Sequence, residues 1–180
     1  MSQRNSDYPR RPDEDYATPA WVAGTVAMPL QLINVRIIWE PAEGPAGKLA
    51  KALRLEGFQV VATQDDFLKR TEPPEEADAI VTNPPYGEDG RSELACAFIR
   101  HALTMPVDVV AMLLRVDFDS SKTRVDLFRD NRRFAGKIVL LDRIVWFERK
   151  GAAPSGNHAW FVWDGNQRRR YPWTRYAAKP

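Results

Sequence analysis

The stretch at residues 77–87, Ala-Asp-Ala-Ile-Val-Thr-Asn-Pro-Pro-Tyr-Gly, constrains the fold of this chain more than any other. Pro84 and Pro85 are adjacent, and proline has no backbone N–H and a φ held at about −65°, so they cannot lie inside a helix or a paired strand. The apolar run before them predicts a strand that ends at Asn83 and leads into a rigid turn. Such a turn can simply terminate a strand, or it can hold the Asn83 amide and the Tyr86 ring in fixed relative positions.

The composition limits the classes of protein to which the chain can belong. Its 180 residues suffice for one well-buried core. The single cysteine, Cys96, excludes an internal disulfide framework and a cysteine-based metal cluster, and with two histidines no metal site is expected. No apolar run is long enough to span a bilayer, and the first residues are polar, so we expect a cytoplasmic protein. The net charge of +2 is too small to imply a nucleic-acid partner by itself.

Three regions differ in composition. Residues 1–14 contain little that could be buried and predict a disordered arm. Residues 15–164 carry the periodic apolar patterns of a folded domain. Residues 165–180 form a basic tail without acidic residues, in which aromatic and cationic side chains alternate; these are Arg168, Arg169, Arg170, Tyr171, Trp173, Arg175, Tyr176 and Lys179.

Strand and helix patterns alternate through the folded domain. The expected strands are residues 35–39, 58–62, 79–83, 107–114, 137–141, 144–147 and 159–163, of which the last closes the sheet. The expected helices are a short one capped by Thr18-Pro19, then residues 48–57, 91–104 and 120–131. This order predicts a three-layer α/β domain with a mostly parallel sheet and a reversed strand near its C-terminal edge.

Polar residues follow three of these strands. Glu40 and a loop of small residues follow the first strand, Asp65 and Asp66 follow the second, and Asn83 ends the third. In an open α/β sheet the carboxyl ends of parallel strands meet at one edge, where ligands bind. The loop lacks the phosphate-binding glycine pattern, so the carboxylates suit a neutral or cationic adenosine-containing ligand better than a polyphosphate.

Three of these segments carry a resemblance. Glu40-Pro41-Ala42-Glu43-Gly44, Asp66-Phe67-Leu68 and Asn83-Pro84-Pro85-Tyr86, in that order, resemble S-adenosylmethionine-dependent adenine-N6 DNA methyltransferases, most closely the small phage-associated type with the NPPY tetrad. Tyr16-Ala17-Thr18-Pro19 is similar to a Thr-Pro element of those enzymes. The resemblance covers residues 15–165 and implies the class I methyltransferase fold, a Rossmann-like three-layer sandwich that here has a trimmed sheet.

The resemblance also implies roles for individual residues. The Asn83 side-chain oxygen and the Pro84 carbonyl would accept the two amino hydrogens of adenine, Pro85 would complete the rigid turn, and Tyr86 would stack on the base. The residues implied at the cofactor S-adenosyl-L-methionine are Thr18, Pro19, Glu40, Pro41, Ala42 and Gly44 near its methionine part, Asp66 and Phe67 at its adenine, and Asp65 at its ribose. Gln64 is an alternative to Asp65.

The chain departs from the family pattern in three places. Ala46 stands where the loop usually has its second glycine. The short segment between the second strand and Asp66 implies that a helix and a strand of the usual fold are missing. After Asn83 there is no room for a separate target-recognition domain, so sequence specificity must come from short loops and tails, from a partner chain, or be low.

Double-stranded DNA with a flipped base is the partner that the resemblance implies, since a base inside a duplex must leave the stack to be methylated. The basic tail suits contacts to the DNA backbone, as does a second basic cluster formed by Lys122, Arg124, Arg129, Arg132 and Arg133. Three alternatives remain open: methylation of RNA adenine, methylation of a protein glutamine, and a catalytically silent module that binds nucleic acid or a partner enzyme.

Overall fold

Helices and strands alternate through the first two thirds of the chain, as their apolar periodicity predicts. In the computed structural model, which describes residues 17–74, 76–86, 92–146, 156–166 and 172–180, three α-helices accompany seven strands. The helices are α1 (Ala20–Leu32), α2 (Lys48–Leu55) and α3 (Glu93–Ala102). The strands are β1 (Ile37–Glu40), β2 (Gln59–Ala62), β3 (Ala79–Thr82), β4 (Val109–Arg115), β5 (Phe134–Leu140), β6 (His158–Asp164) and β7 (Trp173–Ala177).

The seven strands form one sheet in the order β2-β1-β3-β4-β6-β5-β7. β6 is antiparallel to both of its neighbours, and every other pairing is parallel. The carboxyl ends of six strands and the start of β6 therefore lie along one side of the sheet, which we call the carboxyl edge. This mostly parallel α/β architecture is the fold class that the sequence predicts.

Apolar side chains cover both faces of the sheet, as the near-continuous apolar sequence of β4 indicates. On one face, Val26 of α1 and Leu53 of α2 belong to the same apolar cluster as Trp160 of β6. On the other face, α3 and the segment after β4 cover a cluster rich in aromatic rings. Two buried indoles also make backbone contacts: Trp160 Nε1 donates to the Val22 carbonyl at 3.0 Å, and Trp163 Nε1 donates to the Leu127 carbonyl at 2.7 Å.

The predicted helix over residues 120–131 is wrong. The segment contains a single 3₁₀ turn, Lys122–Arg124, followed by further turns. Its backbone bonds are those of successive turns, since Arg124 N donates to the Ser121 carbonyl and Leu127 N to the Arg124 carbonyl. Trp163 donates to the carbonyl of Leu127. Leu127 and Phe128 are nevertheless buried, as predicted.

The C-terminal part of the sheet also differs from the prediction. β6 does not close the sheet but lies inside it, between β4 and β5. The edge strand is β7, which comes from the predicted tail and pairs with β5. Residues 144–146 form no strand; Ile144 is instead fully buried in the cluster that contains Trp160, and residue 147 lies outside the described residues.

The predicted gap in the middle of the fold is present. Between β2 and β3 the described residues contain only the 3₁₀ turn Phe67–Lys69, so β2 is an edge strand. The predicted arm at residues 1–14 lies outside the described residues. No helix in the described ranges is long and apolar enough to cross a membrane.

Candidate functional site

The Asn83–Tyr86 turn leaves the carboxyl edge at the end of β3. Thr82, the last strand residue, is fully buried, Asn83 is half-buried and Pro84 is buried, whereas Pro85 is exposed. The strand ends here because neither proline can donate to a neighbouring strand. The turn therefore leaves the Asn83 side chain at the surface of the site while Pro84 is fixed against the protein.

Tyr86 is held by its hydroxyl group. The hydroxyl accepts a hydrogen bond from the backbone N–H of Arg115 at 3.0 Å and lies 3.5 Å from the Leu113 carbonyl. Arg115 and Leu113 belong to β4, which extends beyond the end of its partner β3. The tyrosine hydroxyl thus satisfies a backbone group that β3 leaves unpaired, and this contact fixes the position of the ring.

Glu40 ends β1 and is only 1% exposed. Its Oε1 accepts hydrogen bonds from Thr82 Oγ1 at 2.5 Å and from the Ala42 backbone N–H at 2.9 Å. Burial raises the pKa of Glu40 to about 8, against the opposing effect of these two hydrogen bonds. The carboxyl group therefore joins the loop after β1 to the residue that precedes Asn83.

The loop after β1 leads into α2, and a side chain of this loop already binds a backbone N–H in the first turn of the helix. Glu43 Oε2 accepts a hydrogen bond from the Ala50 backbone N–H at 3.0 Å, and Gly47, in the left-handed region with φ 61°, precedes the first helical residue. A phosphate group would need these N–H donors. Sequence reasoning did not assign this role to Glu43; the signal was an acidic residue shortly before the predicted helix.

The end of β2 is connected to the end of β1. Thr63 N donates to the Glu40 carbonyl at 2.9 Å, and Trp39 Nε1 donates to Thr63 Oγ1 at 3.0 Å. Asp65, further along, forms an exposed ion pair with Arg70 at 2.5 Å, which lowers the pKa of Asp65. Gln64 beside it is exposed.

Asp66 and Phe67 have local structural roles. The Asp66 carboxylate caps the 3₁₀ turn by accepting from Leu68 N at 3.2 Å, and it pairs with Lys69. The Phe67 side chain is 1% exposed and packs edge-on against Trp39, with their ring centroids 5.2 Å apart. In this arrangement the Phe67 ring is part of the core, and the Asp66 carboxylate is the group that faces solvent.

Thr18 and Pro19 lie at the start of α1. This helix ends shortly before β1 begins, so it runs antiparallel to β1 and its first residues lie toward the carboxyl edge. Thr18 is 3% exposed, and its side chain makes no capping hydrogen bond to α1, because Pro19 occupies the N-cap position. The segments of Glu40, Asp65 and Asn83 follow the carboxyl ends of β1, β2 and β3, and that of Thr18 lies toward the same edge.

Most members of the second basic cluster have intramolecular partners. Arg124 donates to the Phe118 carbonyl at 2.8 Å, and Arg129 pairs with Asp130 at 2.7 Å. Arg133 donates to the backbone carbonyls that precede β4, those of Leu103, Val107 and Asp108. These contacts use the guanidinium groups within the fold.

His158 begins β6 opposite Arg115. It is 6% exposed, its ring meets Trp146 edge-on at 5.3 Å between centroids, and its Nδ1 has no hydrogen-bond partner among the described residues. Burial lowers its pKa to about 4. Within the described ranges no group of His, Cys, Asp or Glu side chains could hold a metal ion.

Comparison with solved structures identifies related folds. A proposed RNA methyltransferase from Pyrococcus horikoshii aligns over 89% of this chain and 92% of its own, with a TM-score of 0.66 and 15% identity. A proposed class I S-adenosylmethionine-dependent methyltransferase from Listeria monocytogenes aligns over 94% of this chain and 67% of its own, with a TM-score of 0.61 and 13% identity.

A third structure is the modification subunit of a proposed type I restriction enzyme from Vibrio vulnificus. It aligns over 93% of this chain and 47% of its own, with a TM-score of 0.52 and 15% identity, so the chain spans about half of that subunit. No protein-family model matches the chain, and no curated protein matches it either. At these identities the likeness shows the class I methyltransferase fold.

Proposed function

We propose that the chain is an S-adenosylmethionine-dependent methyltransferase that acts on the N6 amino group of adenine in DNA. The observation that carries this proposal is the buried hydrogen bond between Thr82 and Glu40. In a methyltransferase fold, this bond sets the Asn83–Tyr86 turn directly beside the small-residue loop after β1. Acceptors for an amino group and a loop suited to the cofactor are therefore adjacent.

The chemistry requires acceptors more than it requires a base. The lone pair of adenine N6 is delocalised into the ring, so the amino group is a poor nucleophile. When the Asn83 side-chain oxygen and the Pro84 carbonyl accept its two hydrogens, they favour a pyramidal nitrogen with a more available lone pair. Tyr86, held by its hydroxyl group on β4, supplies a fixed ring on which the base can stack.

The residues after β1 and β2 fit a cationic, adenosine-containing cofactor. Glu40 and the loop residues Ala42 and Gly44 would hold its amino-acid part, and Asp65 and Asp66 would face its ribose and adenine. Glu43 already binds the Ala50 N–H in the first turn of α2, which disfavours a polyphosphate there. When bound, the cofactor supplies an electrophilic methyl group, and the contribution of the chain is to place the two reactants in line.

DNA as the target rests on the NPPY resemblance and on the exposed basic and aromatic residues Arg175, Tyr176 and Lys179 near the carboxyl edge. The fold neighbours include a proposed RNA enzyme and a subunit of a proposed restriction system, so RNA adenine is the second candidate substrate. The restriction-system neighbour also supports a partner chain as the source of target recognition.

Transfer of a tritiated methyl group to DNA, RNA and protein, measured in parallel, tests the proposal. We expect label in DNA, at adenine N6. Asn83→Ala should abolish transfer and leave cofactor affinity within about threefold of wild type, because Asn83 contacts the base rather than the cofactor. Asn166→Ala, on the opposite edge of the sheet, is the matched control.

Two results would contradict the assignment. If Asn83→Ala retains turnover, the Asn83–Tyr86 turn does not bind the amino group as proposed. A folded protein that shows no binding of S-adenosylmethionine in calorimetry would favour the silent-module alternative.

A further inference from the structure

The carboxyl group of Glu40 is the only one among the described residues that is buried at the carboxyl edge. One oxygen atom, Oε1, accepts both from Thr82 Oγ1 at 2.5 Å and from Ala42 N at 2.9 Å. Thr82 is 0% exposed and immediately precedes Asn83. A single carboxyl oxygen therefore contacts the proposed cofactor loop and the strand end that carries the proposed base-binding turn.

The fold does not need this carboxyl group. The β1–β3 ladder pairs Ile38 with Ala79 and Trp39 with Ile80, and it stops before Glu40 and Thr82. A pair of apolar side chains would fill the same space without the cost of desolvating a carboxyl group. Beyond the end of the ladder, the Glu40–Thr82 hydrogen bond joins the two strand ends.

We propose that Thr82 is a positioning residue that, through Glu40, couples occupancy of the cofactor site to the placement of the Asn83 side chain. This inference rests on the proposed function. The amino-acid part of the cofactor carries an ammonium group, which favours the ionised form of a neighbouring carboxyl group. An ionised carboxylate accepts a stronger hydrogen bond from a hydroxyl group than a neutral carboxyl does, so Thr82 and the turn that follows it become more tightly held.

Glu40 is the group that changes charge. Burial holds its pKa at about 8, so at pH 7 the carboxyl group of the free protein is largely protonated. On binding, the O–H bond of the Glu40 carboxyl breaks, and the proton passes to solvent. The charged neighbour that acts on it is Glu43, from the same loop, whose charge opposes ionisation. β2 and β3 contribute Thr63 and Thr82 at this level, and neither is charged.

The binding test uses S-adenosylhomocysteine, which has the same ammonium group and no methyl group to transfer. Calorimetry at pH 7 in two buffers of different ionisation enthalpy counts the protons released. We expect close to one proton for wild type and none for Glu40→Gln. In protein labelled with ¹⁵N-asparagine, the ligand should shift the side-chain amide signal of Asn83 in wild type and in Thr82→Ser, but not in Thr82→Val.

The kinetic test distinguishes a positioning role of the Thr82 hydroxyl group from a role of Thr82 in packing alone. Thr82→Val should lower kcat for methyl transfer at least about tenfold with little change in the dissociation constant of the ligand, and Thr82→Ser should restore kcat. Thr82→Ala serves if the valine variant does not fold, and Thr104→Val, at the far end of α3, is the matched control.

Specific outcomes would overturn the coupling. Wild-type kcat in Thr82→Val, or an equal loss in the serine and valine variants, would reduce Thr82 to a packing residue while the proposed function stands. Proton release and an Asn83 shift without any methyl transfer would support the coupling and contradict the proposed function. A wild-type protein that does not bind the ligand would overturn both.

Discussion

At the scale of single residues, the buried carboxyl group of Glu40 lowers the stability of the free protein as the pH rises. Its carboxyl group has a raised pKa because it is buried, so over a range of pH the folded state holds a proton that the unfolded state has lost. Stability falls with rising pH wherever the folded state binds more protons. The relevant range runs from the ordinary value of 4.5 to about 8.

Denaturant unfolding of the free protein tests this linkage. Below pH 4.5 both states are protonated, and between there and pH 8 we expect the free energy of unfolding to fall by up to about 1.4 kcal/mol per pH unit from this group. Glu40→Gln should flatten the curve in that range. Glu93→Gln, at an exposed position on α3, should leave the slope unchanged, and an equal slope in wild type and Glu40→Gln would contradict the assignment.

At the scale of elements, the pairing of β7 with β5 depends on one glycine. Gly136 has φ 151°, and a Cβ atom there would lie 2.1 Å from the Trp173 backbone oxygen. The two strands can therefore pair at Gly136 and Trp173 only because residue 136 has no side chain.

Gly136→Ala should separate β7 from the sheet. We expect a loss of about 1–3 kcal/mol in the free energy of unfolding, the usual cost of forcing an extra carbon into a packed site, and faster hydrogen exchange at the β7 amides. Gly156→Ala, at an exposed bend where the nearest atom to an added Cβ would be 3.9 Å away, is the control. If β7 protection is unchanged in Gly136→Ala, the close approach does not hold the strand in place.

The sequence predicted those elements whose apolar pattern is local. β4 and α3 appear close to their expected bounds because each has a clear strand or helix pattern. Residues 120–131 had an equally clear helical pattern, but Trp163, far along the chain, takes the Leu127 carbonyl. The basic, aromatic composition of residues 165–180, with no acidic residue, predicts a tail. The pairing of β7 with β5 is a long-range contact that no local pattern encodes.

The candidate site was predictable to a similar degree. The order of Glu40, Asp65 and Asn83 at strand ends follows from parallel topology. The Glu40–Thr82 bond and the anchoring of Tyr86 on β4 depend on where the β1–β3 and β3–β4 ladders stop. The spacing of residues along the sequence does not show in which register two strands pair.

At the scale of the whole molecule, the basic residues divide into two groups. The guanidinium of Arg133 donates to backbone carbonyls before β4, whereas Arg175 is exposed on the edge strand, with its guanidinium 5.5 Å from the Trp173 ring centroid. If nucleic acid binds along the β5–β7 side, the two arginines should respond differently to the same substitution.

Arg175→Gln should weaken DNA binding and reduce its salt dependence by about one phosphate contact, with little effect on stability. Arg133→Gln should leave DNA binding nearly unchanged and lower the free energy of unfolding by about 2 kcal/mol, because charged hydrogen bonds to partly buried carbonyls are lost. Fluorescence anisotropy at several salt concentrations, together with thermal unfolding, measures both effects. Equal affinity losses in the two variants would contradict this division.

The hydrogen bond from Trp160 to the Val22 carbonyl spans 138 residues of sequence. During synthesis α1 leaves the ribosome first, yet the β6 indole that it docks against is translated roughly ten seconds or more later, at ordinary elongation rates. Throughout that interval the apolar residues of α1, such as Val26 and Leu30, can pack only against α2 and the strands β1 to β4, which precede β6 in the chain. The packing of α1 is therefore completed only when β6 has been made, and expression at reduced temperature should raise the yield of folded protein.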